Sequence, residues 1–394
     1  MPMRNGGSEM SFLSCNEMDI ALDLSQEKQS MLIVGGSRMG KTYFMSQYGN
    51  FLMQRGDSVH VIDLGDKWSV GDKARTGIVH TEPRESILHL YFPTKESLLA
   101  SAKYIANAMG YSSGQIITIL KSTMKELLQE RPTGFTMTDL VKLLEAKAGD
   151  GVDMKDILVR FDCTMGAEDV LFVVNPEKAI EMTKTSIIWD LSQYEEEYNQ
   201  IICQLIIFSL YETQKLQFHE GLILGKVFVF IDEFQNIPCN KGFVLGKCLT
   251  EGQKCKMFLV LATQFLQGRF SEAVINQFKQ GGFQLYFRLT EEEAYSTSKR
   301  LAYKLEDQKK LYEVLTKLKT GKFFLKGPHY IGNSGKAREC LRVIQVNEWK
   351  EDKSMVSETK PTPAHCTVTD NEQNAFRIIN KNNPKRAVKH RKGE

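Results

Sequence analysis

The stretch IVGGSRMGKT, residues 33–42, follows Met31-Leu32 and precedes a segment with apolar residues at Phe44, Met45, Tyr48, Phe51, Leu52 and Met53. A short apolar run, a glycine-rich turn and a helical period, in that order, predict strand, loop and helix. The spacing Gly-x4-Gly-Lys-Thr within the turn is that of a phosphate-cradling loop. Gly35 and Gly40 permit backbone angles that aim successive amides at phosphate oxygens. The helix starting near Lys41 adds the positive end of its dipole. Lys41 is expected to reach the β and γ phosphates, and the Thr42 hydroxyl to ligate Mg²⁺. The expected nucleotide contacts are therefore Gly35, Gly36, Ser37, Arg38, Met39, Gly40, Lys41, Thr42 and Tyr43, with ATP and Mg²⁺ as cofactors. Gly56-Asp57 ends the helix, and SVHVID, residues 58–63, reads as the next strand.

The second half of such a site is VFVFIDE, residues 227–233. An apolar strand delivers two carboxylates at its C-terminal end, where ligands of open α/β sheets bind. Asp232 suits the metal, directly or through water, and Glu233 suits polarisation of a water for attack on a γ-phosphate. In isolation the Asp-Glu pair would read as caps of a following helix; beside a phosphate loop it reads as catalysis. A third element, LVLAT followed by Gln264, ends another apolar strand about thirty residues later. If that strand lies beside the Asp232 strand, or between it and the loop, Gln264 faces the γ-phosphate as a sensor or a holder of the attacking water.

Around these motifs the chain alternates apolar strands with helices, the pattern of a parallel sheet covered on both faces. Strands are expected at 185–190, 227–231, 257–262, 283–289 and 322–326, and a helix over 195–217. Helical periods over 98–109, 114–130 and 136–147 predict an all-helical insertion. The expected organisation is a lead-in of one or two strands (1–30), a first part of the core (31–94), a helical insertion (95–180), a second part of the core (181–350) and a tail (351–394). The tail is poor in apolar residues and carries KRAVKHRK at 385–392, so it reads as basic and disordered.

Composition narrows the classes further. A chain of 394 residues with 42% hydrophobic and 25% charged residues fills a sizeable core, and a net charge of +3 carries no global nucleic-acid signature. The eight cysteines are scattered without a Cys-x2-Cys pair, which argues against structural zinc and a disulfide scaffold, and for reduced thiols in the cytoplasm. The seven histidines show no metal-ligand spacing. Ile201–Leu210, interrupted by Gln204, is too short to span a bilayer, so no direct membrane insertion is expected.

Taken together, IVGGSRMGKT, HVIDLGDKW, IIWDLSQ, FVFIDEFQNI, LTEGQKCKMFLVLATQ and KLKTGKFFLKG resemble the HerA/FtsK superfamily of ring-forming ATPases, over roughly residues 30–330. That group contains DNA-translocating pumps, conjugation ATPases and phage-packaging motors. The resemblance implies a RecA-like core with an inserted helical region, a homo-oligomeric ring, often a hexamer, and double-stranded DNA driven through its channel. It also implies a nucleotide site completed by an arginine from the next subunit.

Two departures stand out. Many relatives carry Gly-Arg-Lys before the Thr-Gln strand; this chain has Gly252-Gln253-Lys254, and Lys254 lacks the planar fork of arginine. Arg288 is the preferred alternative finger, ahead of Arg160 and Arg269. With about thirty residues before the phosphate loop, neither an N-terminal β-barrel nor membrane segments are expected, so the motor domain would need an effector or membrane-docking partner. Competing classes are an ATPase powering protein secretion or conjugation, and a nucleotide-gated scaffold for an effector such as a nuclease. A kinase is disfavoured because Glu233 favours water as acceptor, and an ABC-type ATPase because no Leu-Ser-Gly-Gly-Gln stretch occurs. Lys241, Lys247 and Lys279 are candidates for lining a channel, though surface solvation is the default for each.

Overall fold

The computed structural model describes residues 13–15, 18–64, 79–81, 88–111, 113–147, 158, 170–191, 196–222, 225–237, 243–266, 270, 272–279, 282–331, 337–339 and 341–347. The strands are β1 (Leu13–Cys15), β2 (Met18–Leu22), β3 (Met31–Val34), β4 (Ser58–Asp63), β5 (Val79–Thr81), β6 (Leu88–Phe92), β7 (Gly134–Thr136) and β8 (Val170–Val174). They continue with β9 (Ile187–Asp190), β10 (Val227–Ile231), β11 (Met257–Thr263), β12 (Phe283–Tyr286), β13 (Lys322–Lys326), β14 (Pro328–Ile331), β15 (Arg338–Glu339) and β16 (Arg342–Val346). The helices are α1 (Lys41–Gln54), α2 (Lys95–Ala100), α3 (Ala102–Ala108), α4 (Gly114–Glu130), α5 (Met137–Lys147) and α6 (Pro176–Lys184). Five more follow: α7 (Glu196–His219), α8 (Val244–Glu251), α9 (Glu272–Lys279), α10 (Glu291–Leu301) and α11 (Leu305–Lys317). The chain divides into two compact units, one of Met1–Asp23, Val34–Lys41 and Phe283–Glu394, the other of Leu24–Ile33 and Thr42–Gly282. The divisions expected at residues 95 and 181 both fall inside the second of these units.

The second unit carries a sheet in the order β3-β11-β10-β4-β9-β5. The pairs β11–β10, β10–β4, β4–β9 and β9–β5 are all parallel. In that register Ile231 is paired with both Leu261 and Ile62, so the residues that follow β10, β11 and β4 emerge at one edge. Every residue of β10 is buried, which is why VFVFI is apolar without alternation. Phe228 and Phe230 pack against Tyr48 of α1, with ring centroids 6.3 and 5.9 Å apart. Phe44, Met45, Tyr48, Phe51 and Leu52, the apolar stripe of α1, are all buried. Each such side chain contributes about 1.5–3 kcal/mol by leaving water, so α1 is fixed to the sheet by the residues that made its period legible.

The insertion is not all helical. β7 and β8 join β6 in a separate three-stranded sheet, β6-β8-β7, parallel between β6 and β8 and antiparallel between β7 and β8. Phe135 and Phe92 flank Phe172 there, with centroids 5.4 and 6.3 Å away. β7 is only three residues long, and VLFVV of β8 is an apolar run whose period fits helix and strand alike. The helix expected over 98–109 is two helices, α2 and α3. α2 opens with a reciprocal capping box between Thr94 and Ser97, and at the break the Ser101 hydroxyl donates to Leu98 O at 2.6 Å. Among the described residues no helix is long and apolar enough to cross a membrane.

In the first unit the order is β15-β14-β2-β1-β16-β13-β12, and every pair is antiparallel. The runs over 283–289 and 322–326 do form strands, β12 and β13, but they do not extend a parallel sheet. The connection explains the reversal. A single crossover helix returns the chain to the start of the sheet, whereas the packed pair α10 and α11 brings it back to the end it left. Both strands are buried on both faces, so their apolarity carries no sign of direction. The lead-in supplies β1 and β2, as expected. The expected basic tail, 351–394, lies outside the described residues.

Candidate nucleotide site

The phosphate loop belongs to the first unit and is braced there by backbone. Phe287 N–H donates to Val34 O at 2.8 Å, Gly36 N–H to Arg288 O at 2.8 Å, and Gly321 N–H to Met39 O at 3.0 Å. A Cβ at Gly35 would sit 2.5 Å from the Cβ of Phe287, so only glycine fits the first fixed position of the motif. Gly40, the second, has φ 101°, in the region that favours glycine. Arg38 also has a positive φ, 59°, and its side chain is exposed with that of Ser37, while Met39 is buried. Lys41 is 5% exposed, and its ammonium donates to Gly35 O at 2.7 Å and Gly36 O at 3.1 Å. The loop thus holds a buried cation inside a ring of backbone, an arrangement that fits a polyphosphate.

The second unit resumes at the next residue. Thr42 Oγ1 donates to Asp232 Oδ2 at 2.6 Å, and Glu233 N–H donates to Asp232 Oδ1 at 2.9 Å. A hydroxyl and a carboxylate are hard oxygen donors, and Mg²⁺ is commonly held by one or two protein oxygens together with phosphates and water. Thr42 and Asp232 therefore fit Mg²⁺. No cluster of three or more His, Cys, Asp or Glu that could hold a metal occurs among the described residues.

Glu233 follows the strand in a left-handed conformation, φ 54° and ψ 39°. For a residue with a side chain this costs roughly 1–3 kcal/mol and recurs at functional sites. Its carboxylate accepts from Gln264 Nε2 at 3.1 and 3.0 Å on its two oxygens. β11 lies between β3 and β10, one of the two arrangements that would bring Gln264 to the site. Gln264 faces the Glu233 carboxylate. A further residue was not foreseen: Gln235 Nε2 also donates to Glu233 Oε2, and Thr263 Oγ1 donates to Gln235 Oε1 at 2.7 Å. Gln235 reaches back because Phe234–Asn236 forms a 3₁₀ turn directly after the left-handed residue. Its only signal in the sequence was membership of FVFIDEFQNI.

The candidate arginines divide differently. The Arg288 side chain is exposed, while its carbonyl braces Gly36. Lys254 is exposed in the short 3₁₀ helix Gly252–Cys255. Arg160, Arg269 and Lys241, and the Lys279 side chain, lie outside the described residues. Lys247 is engaged locally, 3.6 Å from Glu212 and 4.8 Å over the ring of Tyr211.

No protein-family model matches the sequence, and no curated protein does either. Solved structures do match. The plasmid coupling protein TrwB, in complex with the non-hydrolysable GTP analogue GDPNP, aligns with a TM-score of 0.57 at 14% identity over 83% of this chain and 87% of that one. The fold is that of TrwB. The TrwB complex with ADP and Mg²⁺ aligns with a TM-score of 0.55 at 13% identity, over 82% of this chain and 86% of that one. VirB4 of Thermoanaerobacter pseudethanolicus aligns with a TM-score of 0.53 at 10% identity, over 83% and 91%. This α/β, RecA-like architecture is the one that the resemblance to the HerA/FtsK superfamily implies.

Proposed function

We propose that the chain is an ATP-hydrolysing motor that works as a homo-oligomeric ring and translocates double-stranded DNA in the cytoplasm. The observation that carries the hydrolytic part is the hydrogen bond between Thr42 and Asp232, with Glu233 at the next position held by Gln264. Lys41 and the loop amides would bind the phosphates of ATP, and Thr42 and Asp232 would hold Mg²⁺, which when bound neutralises charge on the phosphates. Glu233 accepts the proton of the attacking water, and Gln264 fixes the carboxylate that does so. Hydrolysis then breaks the bond between the γ-phosphorus and the oxygen bridging it to the β-phosphate as the water oxygen bonds to that phosphorus, releasing ADP and phosphate.

TrwB, whose fold this is, is a plasmid coupling protein with structures holding ADP and Mg²⁺, which supports the choice of cofactors. The ring, its hexameric size, and DNA as the polymer rest on the superfamily resemblance, as does the need for a docking or effector partner. An arginine reaching a neighbour's site must be exposed on its own subunit, and Arg288 is. The test is ATP hydrolysis by the purified chain with and without double-stranded DNA. Stimulation by DNA, abolished in Lys41→Ala and Glu233→Gln, is expected. Hydrolysis indifferent to DNA would overturn translocation, and no hydrolysis at all would overturn the enzyme.

A further inference from the structure

Glu233 is held by more than Gln264. Its Oε2 also accepts from Gln235, whose own amide oxygen lies 2.7 Å from the Thr263 hydroxyl, the shorter of that hydroxyl's two acceptor contacts, the other being Phe265 O at 2.9 Å. Thr263 is fully buried at the end of β11, and Gln264 is the next residue. The last residue of β11 and the one after it therefore address the same carboxylate, which follows the neighbouring strand β10, one through Gln235 and the other directly.

The chemistry of the amide makes this directional. With its oxygen on the Thr263 hydroxyl, the Gln235 side chain must turn its NH₂ outward, and the Glu233 carboxylate is the acceptor there. Glu233 is itself left-handed at the start of a turn, a conformation that persists where surrounding contacts hold it. Donors on both sides do so. We propose that Gln235, locked by Thr263, is a positioning residue that aims the Glu233 carboxylate at the attacking water. This rests on the reading of Glu233 as the base.

The closing experiment compares steady-state ATP hydrolysis, and ATP affinity measured separately, in full-length Gln235→Leu, Thr263→Val, Thr263→Ser, the Gln235→Leu/Thr263→Val double variant and Glu233→Gln. Gln235 is only partly buried, so Gln235→Leu is mild for the fold. Thr263 is fully buried and its hydroxyl also meets Phe265 O at 2.9 Å, so the thermal stability of each variant is measured beside its turnover. Gln235→Leu and Thr263→Val are each expected to lower kcat by about ten- to a hundredfold, the usual effect of losing an orienting partner, with KM and ATP affinity within twofold. Thr263→Ser keeps the hydroxyl and is expected to restore kcat. The double variant is expected to be no slower than Gln235→Leu alone, because both act through one path. If Glu233→Gln is inactive while Gln235→Leu turns over normally, or the two losses multiply, the positioning role is overturned and the base survives. Wild-type turnover in Glu233→Gln would overturn both.

Discussion

Thr42 and Asp232, separated by 190 positions, share a hydrogen bond of 2.6 Å. One residue comes straight after the phosphate loop, and the other directly follows the strand VFVFI. The pairing converts two separate motifs into a single pair of oxygen donors. Each motif alone is consistent with binding; their contact is what suits a metal-assisted hydrolysis.

Replacing that hydroxyl provides the first test. Thr42→Val keeps the side-chain shape and removes the donor to Asp232. Turnover is expected to fall on the order of 10²-fold, comparable with loss of one preorganised polar contact, and the Mg²⁺ concentration for half-maximal rate to rise. Thr42→Ser should behave as wild type. A Mg²⁺ titration of hydrolysis checks both, and an unchanged titration in Thr42→Val would remove this residue from the metal site.

Arg288 combines an exposed side chain with a carbonyl that braces Gly36. Because the brace is backbone, Arg288→Ala should leave ATP binding intact. As a finger acting on a neighbouring subunit, the side chain should matter to turnover by about 10³-fold. Mixing Arg288→Ala with Lys41→Ala subunits should then recover activity, since some interfaces pair a sound loop with a sound arginine. No recovery, or normal turnover by Arg288→Ala alone, points to a different residue.

His60 yields a prediction on pH. It is fully buried, its ring stacks 6.1 Å from Trp189, and its Nδ1 accepts the Trp189 indole N–H at 3.2 Å. Burial pushes its pKa down to about 3 from the usual 6.5. Above about pH 6.5 neither the folded nor the unfolded imidazole is charged, and nothing is lost. As pH falls below that value the unfolded chain takes up a proton that the folded chain refuses. Stability therefore declines by about 1.4 kcal/mol per pH unit down to about pH 3. Between pH 7 and pH 5 the wild type should lose about 2 kcal/mol more than His60→Gln, measured by urea unfolding. Parallel losses in the two proteins would show that His60 titrates freely in the fold.

Much of this was legible in the sequence because the features concerned are local. IVGGSRMGKT needs only chain order to be a strand, loop and helix, and β10 and β13 match their expected ranges residue for residue. The apolar stripe of α1 is buried as its period requires. Gly35 and Gly40 were marked by motif, although the cause for Gly35, the Cβ of Phe287, lies far along the chain. Burial, period and turn chemistry are properties of neighbours in sequence, and those the sequence determined by itself.

Pairing belongs to the tertiary structure. That β11 stands between β3 and β10, and so brings Gln264 to Glu233, was one of two arrangements the sequence allowed. The antiparallel direction of β12 and β13 follows from how α10 and α11 pack, since strands buried on both faces look alike in either direction. Short strands such as β7 carry too few residues for a period and exist because β8 pairs with them. Gln235 is the clearest case. A glutamine two residues beyond an acid is unremarkable in sequence, and only a left-handed Glu233, a tight turn and the Thr263 hydroxyl of the next strand bring its amide to the carboxylate.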